Sequence, residues 1–251
     1  LDGIKDVHDA NRRFLNGKGT FDSIDIDFFR RAWPNGSVKM TVSAETIPYL
    51  ARSVEYIESL GFYCMATFAS GIHWELDNIK ELLIEQLNKL VDYYSNNIDI
   101  IPCQMLNYNL KMIFFPVNDD FRYCGAGVVK KCYDIYGNCY PCQGLSYMTL
   151  GENSKNFLNK DFQEFQLSDE NPCKACRWIR LCRTCYAANY METGNIEHNS
   201  RDVCFINRAC ILASSKIKYE RLIKKDNFND DDRLTLQAIN IIQREIMEQK
   251  F

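Results

Sequence analysis

The chain has 251 residues, enough for one large domain or two smaller ones with a sizeable core. Its 46% hydrophobic and 25% charged content is ordinary for a globular protein, and a net charge of −3 gives no general attraction to nucleic acid or to an anionic membrane. No apolar run reaches the roughly 18–20 residues needed to span a bilayer and no signal peptide is visible, so the expected setting is cytoplasmic, with no nucleic-acid or membrane partner.

Residues 1–118 alternate strand-like and helix-like segments. Val38–Val42 is a short β-rich run. Leu50, Val54, Ile57 and Leu60 then recur at intervals of three and four, the spacing of one helix face. Gly61 supplies the left-handed residue on which such a helix ends. Phe62–Phe68 reads as the next strand, and Ile79, Leu82, Leu83, Leu87, Leu90 and Val91 form the stripe of a second helix. Ile98–Leu106 reads as another buried strand. Strand, helix, strand, helix at this spacing predicts an α/β fold with a parallel layer.

The character changes at Asn118-Asp119-Asp120, which divides the chain into residues 1–118 and 119–251. Val128–Ile135 is expected to be a strand, Tyr136-Gly137-Asn138 a turn and Cys139–Cys142 the return. Residues 151–172 are polar and loop-rich. A helix is predicted from Cys204 to about Lys225, then an acidic break at Asn227–Asp232 that caps a final helix over about Arg233–Lys250. That helix carries Ala238, Ile239, Ile242 and Ile246 on one side. A packing face is the plain expectation and a partner-binding face the alternative.

Ten of the twelve cysteines lie between Cys124 and Cys210, and only Cys64 and Cys103 lie elsewhere. The order is Cys124, Gly137-x4-Cys142, Cys173-x2-Cys176-x5-Cys182-x2-Cys185, then Cys204. Soft thiolates at such short intervals suit iron–sulfur clusters or zinc. A disulfide scaffold is the alternative, against which stand the length of the chain and three C-x2-C pairs. The gap from Cys176 to Cys182 is far shorter than that between the two knuckles of common zinc sites. One tetrahedral zinc would use four sulfurs and leave Cys124, Cys142 and Cys204 without a role, whereas two centres with interleaved ligands account for more of the pattern. Cys64 and Cys103, on expected strands, read as small buried hydrophobes.

Cys124-Gly-Ala-Gly, Gly137-x4-Cys142, the 173–185 cluster and Cys204 resemble the SPASM domain of radical SAM enzymes. The resemblance implies up to two auxiliary [4Fe–4S] clusters following a radical SAM (β/α) barrel. It assigns Cys124, Cys142 and Cys185 to the first cluster, and Cys173, Cys176, Cys182 and Cys204 to the second. Cys132 is the candidate fourth ligand of the first, unless that site stays open for substrate. Cys139 and Cys210 read as structural. One departure is that two residues, not three, separate Cys182 from Cys185.

Leu1-Asp2-Gly3, His8-Asp9-Ala10-Asn11-Arg12 and Asn16-Gly17 resemble the stretch after the fourth strand of that barrel. The resemblance implies that Arg12 contacts the carboxylate of S-adenosylmethionine, a task suited to a guanidinium fork; a solvated helix arginine is the alternative. His8 reads as structural or capping, and His73 and His198 as ordinary surface or core histidines. The expected architecture is therefore the C-terminal half of a radical SAM barrel, a small Cys-rich domain and C-terminal helices.

Radical SAM chemistry needs a C-x3-C-x2-C triad, and this sequence contains none. The first residue is Leu1, so the expectation is a chain that begins inside a longer product and does not by itself cleave S-adenosylmethionine. In the complete enzyme the resemblance implies S-adenosylmethionine, a third [4Fe–4S] cluster and a reducing partner such as flavodoxin or ferredoxin. The implied reaction is hydrogen abstraction from a precursor peptide by a 5′-deoxyadenosyl radical. Sulfatase-maturating relatives carry a basic aspartate directly after the cysteine matching Cys142, whereas this chain has Gln143, whose amide is no general base. Cys182-Arg-Thr-Cys185-Tyr-Ala-Ala-Asn-Tyr190 looks closer to maturases of ribosomally made peptides, with thioether or other cross-links as products. A zinc- or cluster-binding module that recognises a peptide without chemistry is the reading from another class.

Overall fold

The computed structural model describes residues 1–72, 74, 76–116, 121–162 and 167–248, without the side chains of 76–78 and 246–248. His73, the Asn118–Asp120 boundary, the side chain of Ile246 and the end of the last helix at Lys250 lie outside the described residues. Two compact units emerge. The first takes Leu1–Ala69, Trp74–Lys111 and the chain from Arg208 on, and the second takes Met112–Asn207 with the short stretch at Ser70.

In the first unit, helices α1 (Lys5–Asn11) and α2 (Ile26–Ala32) precede strand β1 (Ser37–Val42). Helix α3 (Leu50–Ser59) then crosses to strand β2 (Tyr63–Phe68), which pairs with β1 in parallel from Ser37 opposite Tyr63 to Val42 opposite Phe68. A strand–helix–strand crossover is what allows parallel pairing. Met40, Val42, Cys64 and Ala66 fill the core side of this pair, and Leu50, Val54 and Ile57 of α3 cover it. Gly61 has φ +86°, the left-handed geometry expected at the end of α3. Helix α4 (Leu76–Asn96) buries Leu83, Leu87, Leu90 and Val91, as its stripe predicts. The Arg221 guanidinium donates to the Tyr94, Asn97 and Ile100 carbonyls, placing a cation at the negative end of α4. The strands are few, and among the described residues they do not close into a barrel.

Ile98–Leu106 is not a strand. The Gln104 N–H reaches the Cys64 carbonyl of β2 at 3.0 Å, but Pro102 has no N–H to offer, and the chain turns at once as Leu106 N–H closes on the Cys103 carbonyl at 2.9 Å. Apolar content without a run of ladder donors leaves Ile98 and Ile101 exposed while Cys103 and Leu106 are buried.

In the second unit, β3 (Cys132–Tyr133) and β4 (Cys139–Tyr140) make an antiparallel hairpin with Cys132 opposite Tyr140. Gly137, at φ +82°, and the Asp134 carboxylate, which accepts from the N–H groups of Tyr136 and Asn138, form its turn. The first strand is shorter than the expected Val128–Ile135. The Gly125 carbonyl gathers the N–H groups of Val128, Val129 and Lys130, folding that stretch into a turn before pairing begins. Short helices α5 (Tyr147–Leu150) and α6 (Tyr186–Thr193) follow. Ala126, Leu145, Phe157, Phe162, Tyr186 and Ala187 form the core of this unit.

Helix α7 (Arg201–Leu222) covers the stretch predicted from Cys204. Helix α8 (Asp230–Glu248) starts three residues before Arg233, because Asn229 and Asp232 cap each other reciprocally, side chain to backbone N–H in both directions. Ala238, Ile239 and Ile242 of α8 are buried, so that side is a packing face. No helix among the described residues is long and apolar enough to cross a membrane.

Candidate metal centre

The 171–185 segment is a run of turns. Buried Asn171 accepts the Cys173 N–H through Oδ1 at 2.8 Å, which starts the first turn around Pro172. Cys176 N–H then bonds the Cys173 carbonyl, Ile179 N–H the Cys176 carbonyl, and Cys182 N–H the Trp178 carbonyl. Trp178, Ile179 and Leu181 are buried and anchor the run, which leaves Cys173, Cys176 and Cys182 half-buried beside them. Cys204 arrives on the first turn of α7.

These four thiols lie within one another's electrostatic reach. Burial, followed by Cys204, Cys173 and Cys176, pushes the Cys182 thiol up to about 12. Burial also raises Cys173, with Cys176 and Cys204 adding to it, while the nearby Tyr123 hydroxyl and Asn199 backbone oppose the rise.

Cys124, Cys142 and Cys185 form a second group and pack together against the core of Leu145, Phe162, Tyr186 and Ala187. Burial raises the Cys142 thiol, the backbone N–H groups of Leu145 and Gly144 oppose the rise, and neighbouring Cys185 and Cys124 add to it. Gly144 is there because of a close approach. A Cβ on it would lie 2.6 Å from the Ala187 Cβ of α6 and 3.8 Å from the Cys142 sulfur. Cys185 is the N-cap residue of α6, so the positive end of that helix adjoins this group.

On the hairpin, Cys132 shares a face with its cross-strand partner Tyr140, which is buried, whereas Cys139 shares the other face with exposed Tyr133. Cys210 is buried within α7, and Cys64 and Cys103 are buried in the first unit. Tyr186 and Asn189 are buried, and Tyr190 meets Phe157 edge-on at 4.8 Å, so these three residues pack.

Crowded thiols without a cation resist ionisation, and a bound metal reverses that balance by deprotonating its thiol ligands. Both groups are built wholly of cysteine, the donor set of [4Fe–4S] clusters, and in that chemistry the residues fit. Among the described residues no three Cys, His, Asp or Glu side chains are drawn together tightly enough for a single metal ion.

Arg12 caps the C-terminal end of α1, and its Nε donates to Asp2 Oδ2 at 2.7 Å. Buried Asp2 also accepts the Thr41 N–H of β1, so it ties Arg12 to the strand; the arginine side chain remains 56% exposed. His8 is structural. It is buried, accepts the Asp2 N–H at Nδ1, meets Thr20 Oγ1 at Nε2, and burial lowers its pKa. His198 is exposed. Sequence reasoning did not single out Tyr123, Asn171 or Asn199. The Asn171-Pro172 pair was a readable turn signal, whereas Asn199 reaches the Cys182 sulfur, and Tyr123 the Glu197 carbonyl, only through the tertiary fold.

No family model matches the chain. Over 221 residues it is 21% identical to a cysteine-type anaerobic sulfatase-maturating enzyme of Clostridium perfringens strain ATCC 13124, a match covering 73% of this chain and 55% of that protein. Over 214 residues it is 19% identical to the enzyme of the same description from Clostridium perfringens strain 13, with the same shares. The chain is a distant relative of these maturating enzymes. It spans about half the length of the curated relatives it matches. Sulfatase-maturating enzymes are among the proteins that the cysteine spacing resembles, so the similarity over 73% of the chain and the spacing point to the same group.

Proposed function

We propose that this chain is the auxiliary-cluster part of a radical SAM maturase that modifies a ribosomally synthesised peptide. The observation that supports the reading best is the placing of seven thiols in two neighbourhoods, Cys124, Cys142 and Cys185 packed on the core of Leu145 and Ala187, and Cys173, Cys176 and Cys182 along one run of turns with Cys204 on the first turn of α7. Each group would hold one [4Fe–4S] cluster, with Cys132 as fourth ligand of the first. Bound there, the clusters supply one-electron redox capacity and, where a coordination site is open, a Lewis-acidic iron.

The chain's own residues do the positioning. The turns anchored by Trp178 and Leu181 hold three thiolates in order, and the Leu145 N–H closes a turn on the Cys142 carbonyl at 3.1 Å. Asp2 holds Arg12 by Nε, which leaves the outer guanidinium nitrogens for a carboxylate such as that of S-adenosylmethionine. The expected partners are a precursor peptide and a reducing protein such as flavodoxin or ferredoxin, and the expected product is a thioether or other cross-link.

Anaerobic purification followed by iron, sulfide and zinc analysis tests the reading. About eight irons per chain with matching sulfide and broad visible absorbance support it. Stoichiometric zinc without sulfide overturns it in favour of a peptide-binding module. The two Clostridium relatives favour a second reading, in which the complete enzyme acts on a sulfatase cysteine. Gln143 stands against that reading, since it puts an amide where such enzymes carry a base. Offering the complete enzyme a sulfatase-derived cysteine peptide separates the two.

A further inference from the structure

The hairpin of the second unit has one edge that the chain covers and one that it leaves open. The Asp134 N–H donates to the Asn138 carbonyl at 3.1 Å, and Tyr133 lies opposite Cys139 in the register. In an antiparallel ladder that bond makes Tyr133 and Cys139 a non-hydrogen-bonded pair, so the backbone N–H and C=O of each point away from the hairpin. On the β4 side the chain supplies partners. The Asn159 N–H donates to the Cys139 carbonyl at 2.8 Å, and the Gly127 N–H donates to the Pro141 carbonyl at 2.8 Å. On the β3 side no described residue bonds the backbone N–H or C=O of Tyr133, nor those of Lys131, which the same alternation turns outward.

The side chains around this edge are apolar and cationic. Val129, Tyr133, Ile135 and Tyr136 are between 65% and 91% exposed. Large apolar groups flanking a free strand edge are a template for another extended chain. Lys130 and Lys131 are exposed beside them and make no ion pair with a described residue. Asp134, the one acid between Phe121 and Gly151, is taken up by the turn, where it accepts from the N–H groups of Tyr136 and Asn138 and from the Asn138 amide.

We propose that the outer edge of β3 is a docking strand for an acidic, extended stretch of the substrate peptide, which adds to the hairpin as a third strand. The proposal deepens the reading of a peptide maturase, and rests on it only for calling this peptide the substrate. Backbone pairing sets the register, the Tyr133 and Ile135 side chains pack on alternate residues of the incoming strand, and Lys130 and Lys131 meet its carboxylates. The same two lysines disfavour a second copy of this chain, because edge-to-edge pairing of two hairpins brings lysines onto lysines.

The test uses the anaerobically purified chain and a fluorescein-labelled synthetic peptide of alternating valine and glutamate, which lines one face of a strand with carboxylates. Fluorescence anisotropy is expected to show binding that weakens as salt rises, and hydrogen–deuterium exchange is expected to slow over residues 131–136. Lys130→Glu/Lys131→Glu is expected to weaken binding by about tenfold or more. A valine–lysine peptide, and the valine–glutamate side chains on an N-methylated backbone, are expected not to bind. Protection outside the hairpin, equal affinity for the charge-reversed variant, equal binding of the N-methylated peptide, or a dimer joined through the hairpin in sedimentation overturns the proposal. A chain that holds two clusters and does not bind the peptide overturns the proposal alone. A chain that holds stoichiometric zinc without sulfide, yet binds the peptide on β3, overturns the maturase reading and leaves the docking edge standing.

Discussion

Cys176→Ala and Cys210→Ala remove the same atom from two places that differ in kind. Cys176 lies in the turn run and contributes to the field on Cys173 and Cys182, and as a ligand it would share in holding a whole cluster. Its loss should lower iron from about eight to about four per chain, with metal-linked folding energy on the order of 10 kcal/mol at stake in the 171–204 segment. Cys210 is 2% exposed inside α7 and is not among the seven assigned ligands. Losing its sulfur removes about one methylene equivalent of burial and leaves a small cavity, a cost of about 1–2 kcal/mol with iron content unchanged. Iron and sulfide assays and timed limited proteolysis of the two reconstituted variants measure both effects. Equal loss of iron and of protease resistance in the two variants would refute the ligand assignment.

Two further outcomes follow from local geometry. Burial pushes the Glu58 carboxyl up to about 7 despite the Tyr94 hydroxyl donating to its Oε1 at 2.6 Å. An unfolded Glu titrates at about 4.3, so the folded chain holds this proton more tightly; its contribution is complete below about pH 4.3 and is lost as pH rises toward 7. Allowing for partial solvation, the loss is about 2 kcal/mol, and Glu58→Gln should flatten it in urea titrations run at pH 5 and pH 8; an unchanged slope contradicts the account. Gly144→Ala places a Cβ 2.6 Å from that of Ala187, so α6 must move away from Cys142 at a cost of about 1–3 kcal/mol and some of the first group's iron. The double variant Gly144→Ala/Ala187→Gly should recover both, and a single variant with wild-type melting temperature and iron content would show that the contact is not tight.

The first unit was legible wherever a local period decided the structure. Met40 and Val42 alternate in β1, Leu50, Val54 and Ile57 recur in α3, and Leu83, Leu87 and Leu90 line α4. Ile98–Leu106 was not legible, because hydrophobicity is blind to donors and Pro102 supplies none. The hairpin was overextended for a related reason. Val128 and Val129 have strand-forming side chains, yet the Gly125 carbonyl takes the N–H groups of both before a partner strand is reached. In the candidate site, spacing named the cysteines, since ligand chemistry demands them close together in sequence. The donor beside them was hidden, because Asn199 meets Cys182 only after the loop between them has folded.

The two-residue gap between Cys182 and Cys185 shows how so short a segment can serve both groups. Cys182 closes the turn run, its N–H bonded back to the Trp178 and Ile179 carbonyls. Arg183 N–H is held by the Asn207 side chain at 2.9 Å, and Thr184 by Asn189 and Asn199, so the linking residues are fixed on both sides. Cys185 then takes an extended conformation, φ −135° and ψ 124°, as N-cap of α6. An extended residue reaches about 3.3–3.6 Å further along the chain, more than twice the rise of a helical one, which offsets much of a missing residue. That extension sets Cys185 beside Cys142, against the core that Gly144 and Ala187 bring together, while Cys182 stays with Cys173, Cys176 and Cys204. A third linking residue would be needed only if Cys185 had to make this crossing from within a turn.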